Sequence, residues 1–166
     1  LIGRFTQNVT ILYDGDAAGI KASLRGLDMI LEEGLNVKVV NFPDGHDPDS
    51  YLHNVGAGAF KIYIENNRKD FILYKATTLL KEAGNDPIKR AGIIRDIVES
   101  IAKIPDNIKA SVFIRECSHL LQVEETILVA ELNKMRVAKF KKSGQGSTAP
   151  SSSSSYAPQD GPPDNL

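Results

Sequence analysis

Several things are scarce in this chain of 166 residues, and each scarcity closes a class of explanation. Tryptophan is absent and cysteine occurs once, as Cys117, which excludes an internal disulfide framework or a cysteine-rich zinc site. Such usage fits a reducing cytosol. Charge of one sign is missing too: 20 Lys and Arg against 21 Asp and Glu leave a formal net charge of −1. A generally basic nucleic-acid coat is thereby excluded, although a metal-dependent enzyme acting on nucleic acid needs only a local basic surface. Apolar runs are short. None approaches the roughly 18 residues that span a bilayer, and no basic-then-apolar signal segment opens the chain.

Hydrophobic residues are also nearly missing from one end. Residues 143–166 are mostly Ser, Pro and Gly, with too little apolar surface to offset the entropy of ordering them. A flexible tether is expected there, with a partner module beyond it. At the other end the chain starts on Leu1, and Val9 soon opens a buried-strand pattern, so the sequence reads as a carboxy-terminal piece of something longer.

What is present begins with a strand. Val9-Thr10-Ile11-Leu12-Tyr13 is apolar and β-branched without alternation, the pattern of a strand covered on both faces of a parallel sheet. From Ala17 the period becomes helical, with Ile20, Leu24, Leu27 and Leu31 on one stripe and Gly34 at the left-handed cap. Val37-Lys38-Val39-Val40 forms a second strand, so the opening third predicts a βαβ unit. Beyond Tyr51 amphipathic stretches predict helices over about 57–65, 69–83, 87–103, 107–121 and 124–142. Asp86-Pro87 and Pro105-Asp106 punctuate them.

Chemistry concentrates at the two strand ends. In Asp14-Gly15-Asp16-Ala17-Ala18-Gly19 the two carboxylates are two residues apart, so extended backbone would point them the same way. Carboxylates held close repel, and a hard divalent cation is the usual reason for keeping them together. Helix capping by Asp16 would explain that residue and leave Asp14 and the glycines unaccounted for. An EF-hand loop fails because Ala18 and Arg25 stand where ligands five and twelve belong. The second strand ends in Asp44-Gly45-His46-Asp47-Pro48-Asp49. Parallel neighbours bring both clusters to one sheet edge, where Asp47 and Asp49 could complete the surround of the same ion or ions. By itself the loop could be a Pro-Asp-Gly turn followed by a helix start at Pro48.

Tyr13-Asp14-Gly15-Asp16-Ala17-Ala18-Gly19, followed by Phe42-Pro43-Asp44-Gly45-His46-Asp47-Pro48-Asp49, resembles the Toprim domain of bacterial primases in both motifs and their order. The resemblance implies an α/β fold with a parallel-sheet Toprim half-domain in residues 1–55. A helical subdomain of the polymerase region would follow in 56–142 and a Ser/Pro-rich linker in 143–166. It places metal ligands on Asp14, Asp16, Asp47 and Asp49, with Asp14 and Asp16 as the catalytic pair holding Mg2+ or Mn2+. It also implies a further glutamate from an earlier strand, and a zinc-bearing amino-terminal domain, both outside this sequence. The implied activity is synthesis of short RNA primers on a single-stranded DNA template from ribonucleoside triphosphates, in the cytoplasmic replisome. A replicative helicase would be bound through a carboxy-terminal domain beyond the tether. Without the glutamate, this chain alone is expected to bind magnesium weakly and to make no primers.

Other readings compete. A topoisomerase or nuclease of the Toprim class would show a polar residue where Ala17-Ala18-Gly19 stands, and a phage primase-helicase would show a phosphate-binding Gly-Lys-Ser/Thr loop. A non-catalytic role would use the helices as an interaction platform. Among the remaining residues, His46 is expected in solvent, while His53 and His119 lack zinc spacing. Cys117 is expected as a buried small hydrophobe. The basic run Lys134, Arg136, Lys139, Lys141, Lys142 reads as a solvated last turn favoured by the helix dipole, or as a brush for a nucleic-acid backbone.

Overall fold

The computed structural model describes residues 4–14, 17–43 and 45–144; the side chains of residues 17–23, 25 and 144 lie outside that description. The predicted βαβ unit is formed by β1 (Asn8–Tyr13), α1 (Ala17–Glu32) and β2 (Asn36–Asn41). The two strands are parallel, paired from Asn8 with Asn36 through Tyr13 with Asn41. Leu24, Leu27 and Leu31 are buried, as the helical stripe predicts, while Ile20 falls among the undescribed side chains. Gly34 turns the chain out of α1 at φ +78°, a left-handed conformation that side chains with a Cβ rarely adopt, and its amide donates to Leu31 O at 3.0 Å.

Next come α2 (Pro48–Val55), α3 (Ala57–Asn67) and a two-residue strand β3 (Lys69–Asp70). β3 pairs antiparallel with β2, so the sheet is mixed, in order β1-β2-β3, and not purely parallel as expected. Two residues with no apolar alternation leave no strand signal. They become a strand because Lys38 and Val39 offer an open ladder edge beside them. α2 was likewise read only as a possible helix start. Asp47 and Pro48 supply a cap and a first-turn proline, enough to nucleate eight residues whose side chains leave none buried.

The rest is helical: α4 (Phe71–Ala83), α5 (Pro87–Ala102), α6 (Asn107–Leu121) and α7 (Glu125–Gly144). Asp70, Asp86 and Asp106 each accept from first-turn amides and start α4, α5 and α6. α7 runs two residues past the predicted end, and the expected tether over residues 145–166 lies outside the described residues. One core joins both regions: Val37, Val39 and Leu24 from the βαβ unit pack in the same cluster as Phe71, Ile97, Ile101, Ile114, Leu121 and Leu128. Each such aliphatic side chain removed from water contributes roughly 1.5–3 kcal/mol.

A buried ion network crosses the seam. Lys75 Nζ on α4, with its side chain 3% exposed, lies 3.7 Å from Asp28 Oδ2 on α1 and 3.2 Å from Asp96 Oδ1 on α5. It donates to Ser100 Oγ at 2.7 Å, and Lys103 reaches the same Asp28 oxygen at 3.2 Å. A buried ammonium and a buried carboxylate need each other, because either left alone carries an uncompensated charge.

Candidate functional site

Register decides which residues meet at the sheet edge. Because Tyr13 pairs with Asn41, Asp14 leaves β1 where Phe42 leaves β2, and the Phe42 amide reaches back to Tyr13 O at 3.4 Å. The acidic segments after the two strands therefore open on one carboxyl edge, the usual ligand position of an open α/β sheet. Asp14 is exposed there. Asp16 and Asp44 lie outside the described residues.

Asp47 is the N-cap of α2. Its Oδ1 accepts from the Ser50 amide at 2.7 Å, while its own amide donates to Ser50 Oγ at 3.0 Å, closing a capping box. The Ser50 backbone bond, then the Ser50 hydroxyl, hold the Asp47 carboxyl below the usual aspartate range, so it stays ionised and ready for a cation. Asp49 sits in the first turn of α2 with its side chain 83% exposed, its Oδ1 3.6 Å from His53 Nε2. Asp14, Asp47 and Asp49 supply hard oxygen donors, and one Asp47 oxygen is outside the cap bond; that donor set fits Mg2+ or Mn2+. Among the described residues no three His, Cys, Asp or Glu side chains converge into a preformed cage.

Holding the second loop in place is an aromatic pack that pattern reading missed. Phe42 is buried with ring centroids 5.3 Å from Tyr51, 5.6 Å from Phe60 and 5.5 Å from Tyr63. Tyr63 Oη donates to Asn41 O at 2.8 Å, and Asn41 Nδ2 donates to Tyr74 Oη at 2.6 Å. Tyr74 in turn stacks on Tyr13, centroids 6.4 Å apart. Burial pushes the Tyr63 phenol up, so it remains a donor at all ordinary pH. The loop itself turns at Gly45, φ +83°. The only advance signal was the Phe60 and Tyr63 pair, three residues apart on one helix face.

His46 departs from expectation. It is half-buried, its ring edge-on to Tyr51 at 5.7 Å, and Nδ1 is enclosed without a hydrogen-bond partner. The acidic run around it suggested solvent, but Tyr51, five residues on, folds back over the loop. Cys117 is fully buried, and desolvation pushes its thiol up to about 12, which removes it as a nucleophile.

A mixed sheet edge carrying exposed and capped carboxylates, joined to a helical bundle, is the architecture of a Toprim-like module with an appended helical domain. A Toprim-like family model matches residues 1–52, and a model described as the DnaB-helicase binding domain of primase matches residues 74–126. The chain is 30% identical over 131 residues to a DNA primase of Staphylococcus aureus, covering 79% of this chain and 22% of that protein. A primase domain from Pseudomonas aeruginosa superposes with a TM-score of 0.64 at 23% identity, covering 81% of this chain and 42% of that one. A primase catalytic domain bound to single-stranded DNA gives 0.60 at 25% identity, covering 70% of this chain and 38% of that one. The chain belongs to the bacterial DNA primase family. It spans about a fifth of the length of the curated relatives it matches. The helicase-binding model falls on α4 to the start of α7.

Proposed function

We propose that this chain supplies the acidic edge of a primase that joins ribonucleotides into short RNA primers on single-stranded DNA, with Asp14, Asp16, Asp47 and Asp49 holding Mg2+ or Mn2+. The observation that carries the reading is the pairing of Tyr13 with Asn41, which delivers both acidic segments to one edge. A divalent ion bound there would polarise a phosphate and neutralise charge during nucleotidyl transfer. Asp14 is exposed at the strand end and free to take a ligand. Asp47 is kept ionised by its own helix cap, and the Phe42, Tyr51, Tyr63 pack fixes where that cap stands.

The relatives reported above are DNA primases, which favours this reading over a topoisomerase or nuclease. A related primase catalytic domain solved with single-stranded DNA supports that template, and the helicase-binding family model over residues 74–126 supports a replicative helicase as a partner. We divide the chain into 1–55, 56–142 and 143–166, with α3 folded back onto β2 through Tyr63. No helix among the described residues is long and apolar enough to cross a membrane, and a cytoplasmic replisome suits the reaction.

The test is primer synthesis by a full-length primase carrying this segment. Asp14→Asn should lower incorporation of labelled ribonucleotide on a single-stranded template by about 100-fold or more, as expected when a ligand of the ion that neutralises developing charge is lost. Synthesis at the unmodified rate would overturn the assignment.

A further inference from the structure

Both strands of the acidic edge end against one side chain of the helical region. Tyr13 and Asn41 are the last register pair of β1 and β2, and the chain leaves the sheet at the next residues, Asp14 and Phe42. Tyr74 of α4 touches both members of that pair. Its ring stacks on Tyr13 with centroids 6.4 Å apart and planes 14° from parallel, and its hydroxyl oxygen accepts from Asn41 Nδ2 at 2.6 Å. The backbone bond beyond the pair, from the Phe42 amide to Tyr13 O, is 3.4 Å long, well past the usual length of about 2.9–3.0 Å. Pairing alone therefore fixes the spacing of the two acidic segments loosely, and Tyr74 supplies the closer bond.

Filling the core does not account for this contact. A ring needed only for packing would sit among apolar neighbours, yet the Tyr74 hydroxyl meets an asparagine, a residue depleted in strands. Asn41 Oδ1 is enclosed without a hydrogen-bond partner among the described residues, which costs stability. A polar pair kept at that cost favours one arrangement over others. Its mount is also fixed: the next residue, Lys75, is tied to Asp28 of α1 and to Asp96 and Ser100 of α5.

We propose that Tyr74 is a positioning residue for the acidic edge. From the helical region it sets the spacing between Asp14 and the loop bearing Asp47 and Asp49, and with it the affinity for the divalent ion. It acts through Tyr13 and Asn41 and supplies no ligand atom itself. The proposal rests on the reading that these carboxylates share an ion. It adds a determinant of the site outside the Toprim-like match, which ends at residue 52.

The experiment measures Mn2+ binding to full-length primase carrying this segment, from the electron paramagnetic resonance of the free ion, beside thermal melting and the magnesium dependence of primer synthesis. Tyr74→Phe keeps the stacked ring and removes the hydroxyl. It should weaken Mn2+ binding about 10-fold, the lower end of what residues that orient metal ligands contribute. Half-saturating magnesium for synthesis should rise about as far, with the rate at saturating magnesium within about 3-fold of the unmodified protein. Tyr74→Phe combined with Asn41→Leu removes both polar partners. That pair should melt within about 2 °C of the unmodified protein while its Mn2+ affinity stays about 10-fold down. Affinity that returned together with the melting temperature would make Tyr74 a packing residue and overturn the proposal, as would Tyr74→Phe binding Mn2+ at full strength. Asp14→Asn keeps the two readings apart. Weak binding by Asp14→Asn beside full affinity in Tyr74→Phe would sink the positioning role alone, and full affinity in both would sink the shared-ion reading with it.

Discussion

Carboxylates at the sheet edge and in the seam between α1 and the bundle are held by opposite means. At the edge, Asp47 is fixed by two bonds to Ser50, three residues away, while Asp14 and Asp49 face solvent. In the seam, Asp28 is buried and answered by Lys75 and Lys103, which come from 47 and 75 positions further along the chain. The edge keeps its charge available, and the seam uses its charge up. The contrast predicts that edge substitutions spare the fold and cost activity, whereas seam substitutions do the reverse.

The largest effect should come from the seam. Lys75→Ala leaves Asp28 with the half-exposed Lys103 alone, and Asp28 Oδ1 already lacks a hydrogen-bond partner. A loss of about 3–5 kcal/mol is expected, which for a folded unit of this size lowers the melting temperature by roughly 10 °C or more. Calorimetric melting of the chain and of Lys75→Ala would measure it. A shift under about 2 °C would mean that Lys103, 3.2 Å from the same oxygen, satisfies Asp28 without Lys75.

A smaller effect belongs to the edge. Asp47→Ala removes the N-cap of α2 and should lower the melting temperature by much less than the seam change does. Asp47→Ser keeps a capping oxygen and should restore most of that stability without restoring metal affinity. Paired melts and magnesium titration calorimetry separate the two roles. If serine restored both, the carboxylate would be a cap and nothing more, and the comparison between edge and seam would lose its meaning.

How much of this was legible in the sequence follows from the range of the forces involved. α1, β1, β2, and α5 and α6 with their caps were readable because periodicity, Asp and Pro act within a few residues. That β1 and β2 end on one sheet edge was also readable, since a βαβ unit has a defined edge. The antiparallel β3, the half-buried His46 and the aromatic pack over Phe42 were not, because each depends on partners brought in by α2 and α3. Lys75 was unreadable for the same reason. On its helix it resembles any surface lysine, and only Asp28, Asp96 and Ser100 from elsewhere make it interior.

The smallest effect tests an exposed contact between α1 and α7. Lys139 bonds Glu32 at 3.0 Å, and that hydrogen bond, ahead of the charge itself, holds the Glu32 carboxyl below its ordinary 4.5. A carboxyl whose folded value is lowered adds stability that is fully present above the unfolded value and is lost as pH falls through the folded one. The contribution should therefore be intact well above pH 4.5 and should fade as the pH falls below it. Both side chains are more than 40% exposed, so its size should stay under about 0.5 kcal/mol. Lys139→Ala should return Glu32 toward 4.5 in a carbon-detected titration and leave the acid limb of the melting curve nearly unchanged. A Glu32 midpoint that did not move would show that the pair forms only transiently.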